Sequence, residues 1–194
     1  SDENNFFRGI AADFAIGDLG VMIFCSSNKI DASVRQGPDS TISHIESFYT
    51  TGTHNTATLL QKKDAVAETS YGMNVSYTFR EMKIGVSYSE GRFSLPVDPS
   101  AISAEEIFDF RGRRNTIASI YYTSLLNRFL LFGELSLNDF SRHATVQGLS
   151  FRPSDRLTIN LLYRNYAAGY FAFHGNGPGT GSSTSNEAGL FGNF

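Results

Sequence analysis

One cysteine, no tryptophan and five prolines occur in a chain of 194 residues. A lone thiol, Cys25, closes no intrachain disulfide, so no disulfide framework holds the fold and cysteine usage says nothing about redox compartment. Long apolar runs are also missing. No stretch reaches the roughly eighteen apolar residues that a helical membrane span requires. Charged residues make up only 18% of the chain and leave a net charge of -3. That balance offers no basic surface for nucleic acid, which is excluded as a partner of these residues. The amino end, Ser1, Asp2, Glu3 and Asn4, lacks the features of a signal peptide.

What is abundant points to strands and turns: 17 Phe, 9 Tyr and 18 Gly,. The ordering matters more than the amounts. From Thr69 to Phe79, Tyr71, Met73, Val75, Tyr77 and Phe79 interleave with Ser70, Gly72, Asn74, Ser76 and Thr78. A period of two means a strand between two different environments. From Arg156 to Tyr166, Leu157, Ile159, Leu161 and Tyr163 alternate with Thr158, Asn160, Leu162 and Arg164, with Leu162 the one exception. In Phe129 to Asn138 the outer set is Phe129, Leu131, Gly133, Leu135 and Leu137; the inner set is Leu130, Phe132, Glu134, Ser136 and Asn138. Such alternation in segments of about ten residues is what a transmembrane barrel needs, with lipid outside and a polar lumen inside.

Eight strands are expected: Phe7 to Ile16, Gly20 to Val34, Thr69 to Phe79, Met82 to Leu95, Asn115 to Leu126, Arg128 to Asn138, His143 to Phe151 and Arg156 to Tyr166. Gly17 to Gly20, Arg80-Glu81, Asn127 and Arg152 to Asp155 read as tight turns. Residues 35–68, 96–114, 139–142 and 167–187 read as longer connections, so short and long alternate, as in outer-membrane barrels. Within them, Thr56 is expected to cap a helix over Ala57 to Ala67, and Ser100 or Ser103 to begin a short one through Glu105, Glu106 and Ile107. His174 to Ser185 is Gly- and Ser-rich and reads as a mobile loop. Ala188 to Phe194 resembles the start of another strand, which suggests that the chain continues beyond both ends. The fold expected is all-β: an antiparallel up-and-down meander, forming a transmembrane barrel or part of a larger one.

A set of local patterns strengthens this. Gly52, His54 and Thr56, then Lys62-Lys63 and Tyr71-Gly72, stand with Phe108, Phe110 and Gly112, Phe132-Gly133-Glu134, Tyr163-Arg164-Asn165-Tyr166, and Asn186-Glu187 before Gly189. Together they resemble the barrel region of Bacteroidetes outer-membrane proteins that carry a helix-hairpin-helix domain. The resemblance implies an outer-membrane barrel and supplies no catalytic residues. The 194 residues contain no helix-hairpin-helix part, so no DNA binding is implied.

Candidate sites follow from parity. Asp13, Asn74, Lys83, Glu134, Asn160 and Arg164 fall on the inward set, where they would line a lumen. A charge on the lipid face would cost about 2–4 kcal/mol near the midplane. Arg111, Arg113 and Arg114 form a basic cluster that could hold lipopolysaccharide phosphates; a solvated loop foot is the plainer account. His44, His54, His143 and His174 lack metal-ligand spacing, and GNGPGTG from Gly175 to Gly181 lacks the Lys and helix of a phosphate loop. No metal, cofactor or catalytic activity is expected. Partners would be outer-membrane lipid and, through the long loops, other surface proteins.

Two alternatives remain open. A soluble lipocalin-like barrel binding an apolar ligand would invert the parity, with Tyr71, Met73, Val75 and Tyr77 inside. An outer-membrane lipase-type enzyme would need a serine within reach of His143. Sparse charge on the polar parity, and Tyr77, Phe79, Tyr88 and Phe129 near strand ends, favour the membrane.

Overall fold

The computed structural model describes residues 6–36, 43–49, 53–99, 106–175, 177–179 and 184–194. Among them eleven strands form: β1 (Gly9–Ile16), β2 (Leu19–Ile30), β3 (Ala32–Gln36), β4 (Ser43–Phe48), β5 (Val66–Phe79), β6 (Met82–Val97), β7 (Gly112–Leu126), β8 (Phe129–Asn138), β9 (Arg142–Ser154), β10 (Leu157–Tyr166) and β11 (Glu187–Asn193). A helical turn, α1 (Ala57–Leu60), and a 3-10 turn at Glu106–Phe108 complete the inventory. The strand order β1-β2-β5-β6-β7-β8-β9-β10-β11 is a meander, with β3 paired to β4 off this path. β3 with β4, and each neighbouring pair from β7 to β11, run antiparallel, and β4 meets β6 in one parallel bridge, Ile45 to Val97.

To the eight expected strands and the further one expected from Ala188, seen as β11, the structure adds β3 and β4, for local reasons. The stretch from Gly20 to Val34 is not one strand, because Asp31 interrupts it. The Asp31 carbonyl accepts the Tyr49 amide at 3.0 Å, and its carboxylate accepts the Asp64 amide at 2.8 Å. The chain then turns into β3 and pairs with β4, both inside what reads as a loop. The helix expected over Ala57 to Ala67 is cut to one turn. Thr56 does cap it, accepting the Leu59 amide at 3.3 Å. Asp64 then takes a left-handed conformation (φ 52), and Val66 opens β5 in a buried position. Residues 139–141 form a tight turn instead of a longer connection, with Asp139 and Phe140 at positive φ. The Asp139 carboxylate accepts the Thr116 amide and hydroxyl, at 3.1 and 2.7 Å, and fixes this turn to β7. Of the short helix expected from Ser100 or Ser103 through Glu105, Glu106 and Ile107, residues 100–105 lie outside the described residues, and Glu106 and Ile107 stand in the 3-10 turn.

Two compact units make up the chain. One comprises the described residues of Ser1–Ala11, Phe24–Tyr71 and Glu90–Asn115. It has a conventional apolar core of Ile30, Ala32, Ile45, Val66, Phe93, Val97 and Phe110,. Phe93 packs against Phe48 and Phe110 at ring separations of 5.2 and 6.4 Å. His54 belongs to this unit and has a structural post, with Nε2 3.0 Å from the Asp31 carboxylate and Nδ1 3.2 Å from the Leu59 carbonyl.

The other unit comprises the described residues of Ala12–Ile23, Gly72–Ser89 and Thr116–Phe194, and its burial is reversed. Ser76, Ser119, Ser136 and Asn138 are buried, whereas Met73, Tyr77, Phe79, Ile84, Val86, Ile120, Leu135 and Leu161 are exposed. In water this arrangement forgoes most of the apolar transfer that drives folding.

Candidate functional site

In an antiparallel ladder, directly paired residues face the same side, so the registers of β7 to β11 give one whole face in four rows. The first row is Ser119, Ser136, Ala144, Tyr166 and Glu187; the second is Tyr121, Glu134, Val146, Arg164 and Gly189. Thr123, Phe132, Gly148, Leu162 and Phe191 make the third, and Leu125, Leu130, Ser150, Asn160 and Asn193 the fourth. The opposite face carries Ile120 with Leu135, Thr145 and Asn165; Tyr122 with Gly133, Gln147 and Tyr163; Ser124 with Leu131, Leu149 and Leu161; and Phe129 with Phe151 and Ile159.

Glu134, Asn160 and Arg164 thus share one face, as their parity predicts. Asn74 joins them through a bond that its side-chain oxygen accepts from the Tyr121 hydroxyl at 3.0 Å. Asp13 and Lys83 are exposed on β1 and β6. The polar face is less uniform than Leu162 alone suggests. Leu130 and Phe132 share its lower rows, and Phe132 lies across Gly148. A Cβ at Gly148 would fall 2.5 Å from Phe132 Cε1, so only glycine leaves the ring its place,.

Arg164 has a partner that sequence reasoning missed. Its Nε donates to Glu187 Oε1 at 2.9 Å, its Nη2 donates to the same oxygen, and both side chains are mostly buried. Glu187 begins β11 after a low-complexity stretch and 23 residues beyond Arg164, and no local pattern links the two. A Cβ at Gly189 would sit 3.3 Å from the Arg164 guanidinium carbon, so the glycine keeps the arginine's space open.

Residues after β10 fold back onto this face. The Ala167 amide donates to the His143 carbonyl at 2.9 Å, and the Asn186 amide donates to the Ala167 carbonyl at 3.2 Å. Tyr170 is buried with Ala144 and Tyr166, flanked by Val146 and Ala172. Its hydroxyl lies 2.8 Å from Ser136 Oγ. Burial pushes the Tyr170 phenol above its ordinary value; the Ser136 bond pulls it down and the nearby Glu134 charge pushes it up,. Arg142 Nη1 donates to the Gly169 carbonyl at 2.9 Å, and the Tyr166 hydroxyl donates to the Pro178 carbonyl at 2.8 Å. Part of the stretch expected to be mobile, at residues 176 and 180–183, lies outside the described residues.

The remaining candidates stay apart. Arg111 is bound to Asp98 and donates to the Pro99 carbonyl at 3.0 Å, whereas Arg113 and Arg114 are exposed at the start of β7. His143 Nε2 lies 3.3 Å from the Asn165 side-chain oxygen, so its partner is an amide and not a serine. His44 sits opposite Arg35, and His174 packs edge-on against Phe173. Among the described residues no group of three or more His, Cys, Asp or Glu is placed to hold a metal ion.

No family model and no curated protein matches the chain. Among solved structures it is similar to OmpT (in-vitro folded), an outer membrane protein of Vibrio cholerae in its trimer form, at 13% identity and a TM-score of 0.49. The match covers 96% of this chain and 54% of the other, so the chain spans about half the length of that structure.

Proposed function

We propose that this chain is the wall of a bacterial outer-membrane β-barrel, or part of that wall, serving a structural, transport or docking role without catalysis. The reversed burial of the second unit carries this reading. Apolar side chains that stay exposed on a folded sheet need a non-aqueous neighbour, and acyl chains fit that need while the polar face meets water. The dimensions agree. On β8 the apolar set runs from Phe129 to Leu137, eight steps of about 3.4 Å, and a tilt of about 40° projects this to about 21 Å, near the ~25 Å band of such barrels. Charged and polar residues bound the band: Arg80, Glu81, Arg128, Asp155 and Arg156 at the tight turns, and Asp139, Arg142 and Asn165 at the other end.

Membrane lipid is then the principal partner. Arg113 and Arg114 remain candidates for lipopolysaccharide phosphates, while Arg111 is held by Asp98. The lipocalin-like reading fares worse, because it needs Met73 and Tyr77 inside and both are exposed, at 46% and 47%. Cell fractionation tests the proposal. The chain should stay with outer membranes through alkaline washing, leave them only in detergent, and migrate differently on gels when unheated. Release into the wash as a soluble protein would refute it.

A further inference from the structure

We propose that residues 167–175 form a constriction seated on the polar face of β8 to β10, which narrows the passage to small hydrophilic solutes. This rests on the barrel reading and deepens it.

The connection from β10 to β11 spans 167–186, far longer than a hairpin needs. A loop of that length reaching into water would leave its aromatics wet. Here the opposite is built. Tyr170 enters the first row of the polar face, where Ala144 is small enough to admit a ring beside Tyr166. Its hydroxyl meets Ser136, whose neighbours in that row are Ser119 and Ala144. Arg142 holds the turn at Gly169 (φ 74), and the Ala167 amide ties the segment's start to β9 through the His143 carbonyl. Backbone and side chain therefore fix the segment on the same face.

The next row supplies the charges. Arg164 and Glu187 neutralise one another, and the negative charge of Glu134, exposed and opposite Tyr121 and Val146, is offset on the same face by Arg142, which pairs with Asn138 and holds Gly169. Asn74 and Tyr121 add hydrogen-bonding groups without charge. A narrow polar passage whose charges balance admits small hydrophilic solutes of either sign.

Planar lipid bilayers containing the full chain, under a KCl gradient, test this. The wild type should conduct weakly. Tyr170→Ala should raise conductance several-fold, and Ser136→Ala, which removes the anchor without altering the segment, should raise it in the same direction. A silent wild type that opens in Tyr170→Ala also supports the constriction. Variants that fold and insert yet keep the wild-type conductance overturn it, as does silence in all of them. Failure of the wild type to fold or insert into bilayers counts instead against the barrel reading.

Discussion

Leu161→Arg places a charge at mid-strand on the apolar face of β10, beside Leu149 of β9 and Gly192 of β11. Leu161 is 44% exposed, so the sheet neither buries nor crowds the new side chain. If lipid covers this face, an arginine near the midplane costs about 2–4 kcal/mol, which lowers the folded-to-unfolded ratio by roughly thirty-fold to nearly a thousand-fold. If water covers it, the same exposed substitution costs at most about 1 kcal/mol. Asn160→Arg is the internal control, since it lies one residue away, at nearly the same depth, on the opposite face. Both variants would be folded into phosphatidylcholine vesicles and titrated with urea. Without tryptophan to report, the folded fraction is read from the unheated gel band. Leu161→Arg should unfold at clearly lower urea than Asn160→Arg. Equal midpoints would refute the assignment of faces, and a larger loss in Asn160→Arg would reverse it.

Gly148→Ala forces a methyl against the Phe132 ring and should cost about 1–3 kcal/mol; Phe132→Ala in the same chain should recover much of the loss in a double-mutant urea cycle. Glu187→Gln leaves Arg164 mostly buried without its counter-charge and should cost about 1–3 kcal/mol, while replacing both residues with methionine should cost less. Because burial raises the Tyr170 phenol, the seat of residues 167–175 contributes its full stability below the ordinary phenol range and loses it as pH rises through the raised value,. Spectrophotometric titration should therefore show a late-ionising tyrosine component, and Tyr170→Phe should diminish it.

The two faces were legible in the sequence because a period of two is written into each strand. Glu134, Asn160 and Arg164 fell on one side by counting alone. Strand number was harder to read. β3 and β4 are short, mix Ser, His and Glu with apolar residues, and exist because Asp31 binds the distant Asp64 amide, which no window of sequence reveals. The helix after Thr56 has a proper cap and an apolar side, yet packing of Val66 in the first unit's core overrides that local preference. Glu187 escaped notice because its role is defined by a neighbour brought up through strand pairing. Tyr170 stands in AAGYFAF, a run without periodicity, and only the small Ala144 in the opposing row explains where the ring goes.

Since greasy residues alternate with polar ones in these strands, no window is apolar enough to be retained as a helix by an inner-membrane translocon. A barrel precursor written this way can cross one bilayer as a hydrophilic-seeming thread. It acquires its oily coat only on folding, when alternate side chains are gathered onto one surface, so the step that makes it insoluble in water is also the step that must happen at its final membrane.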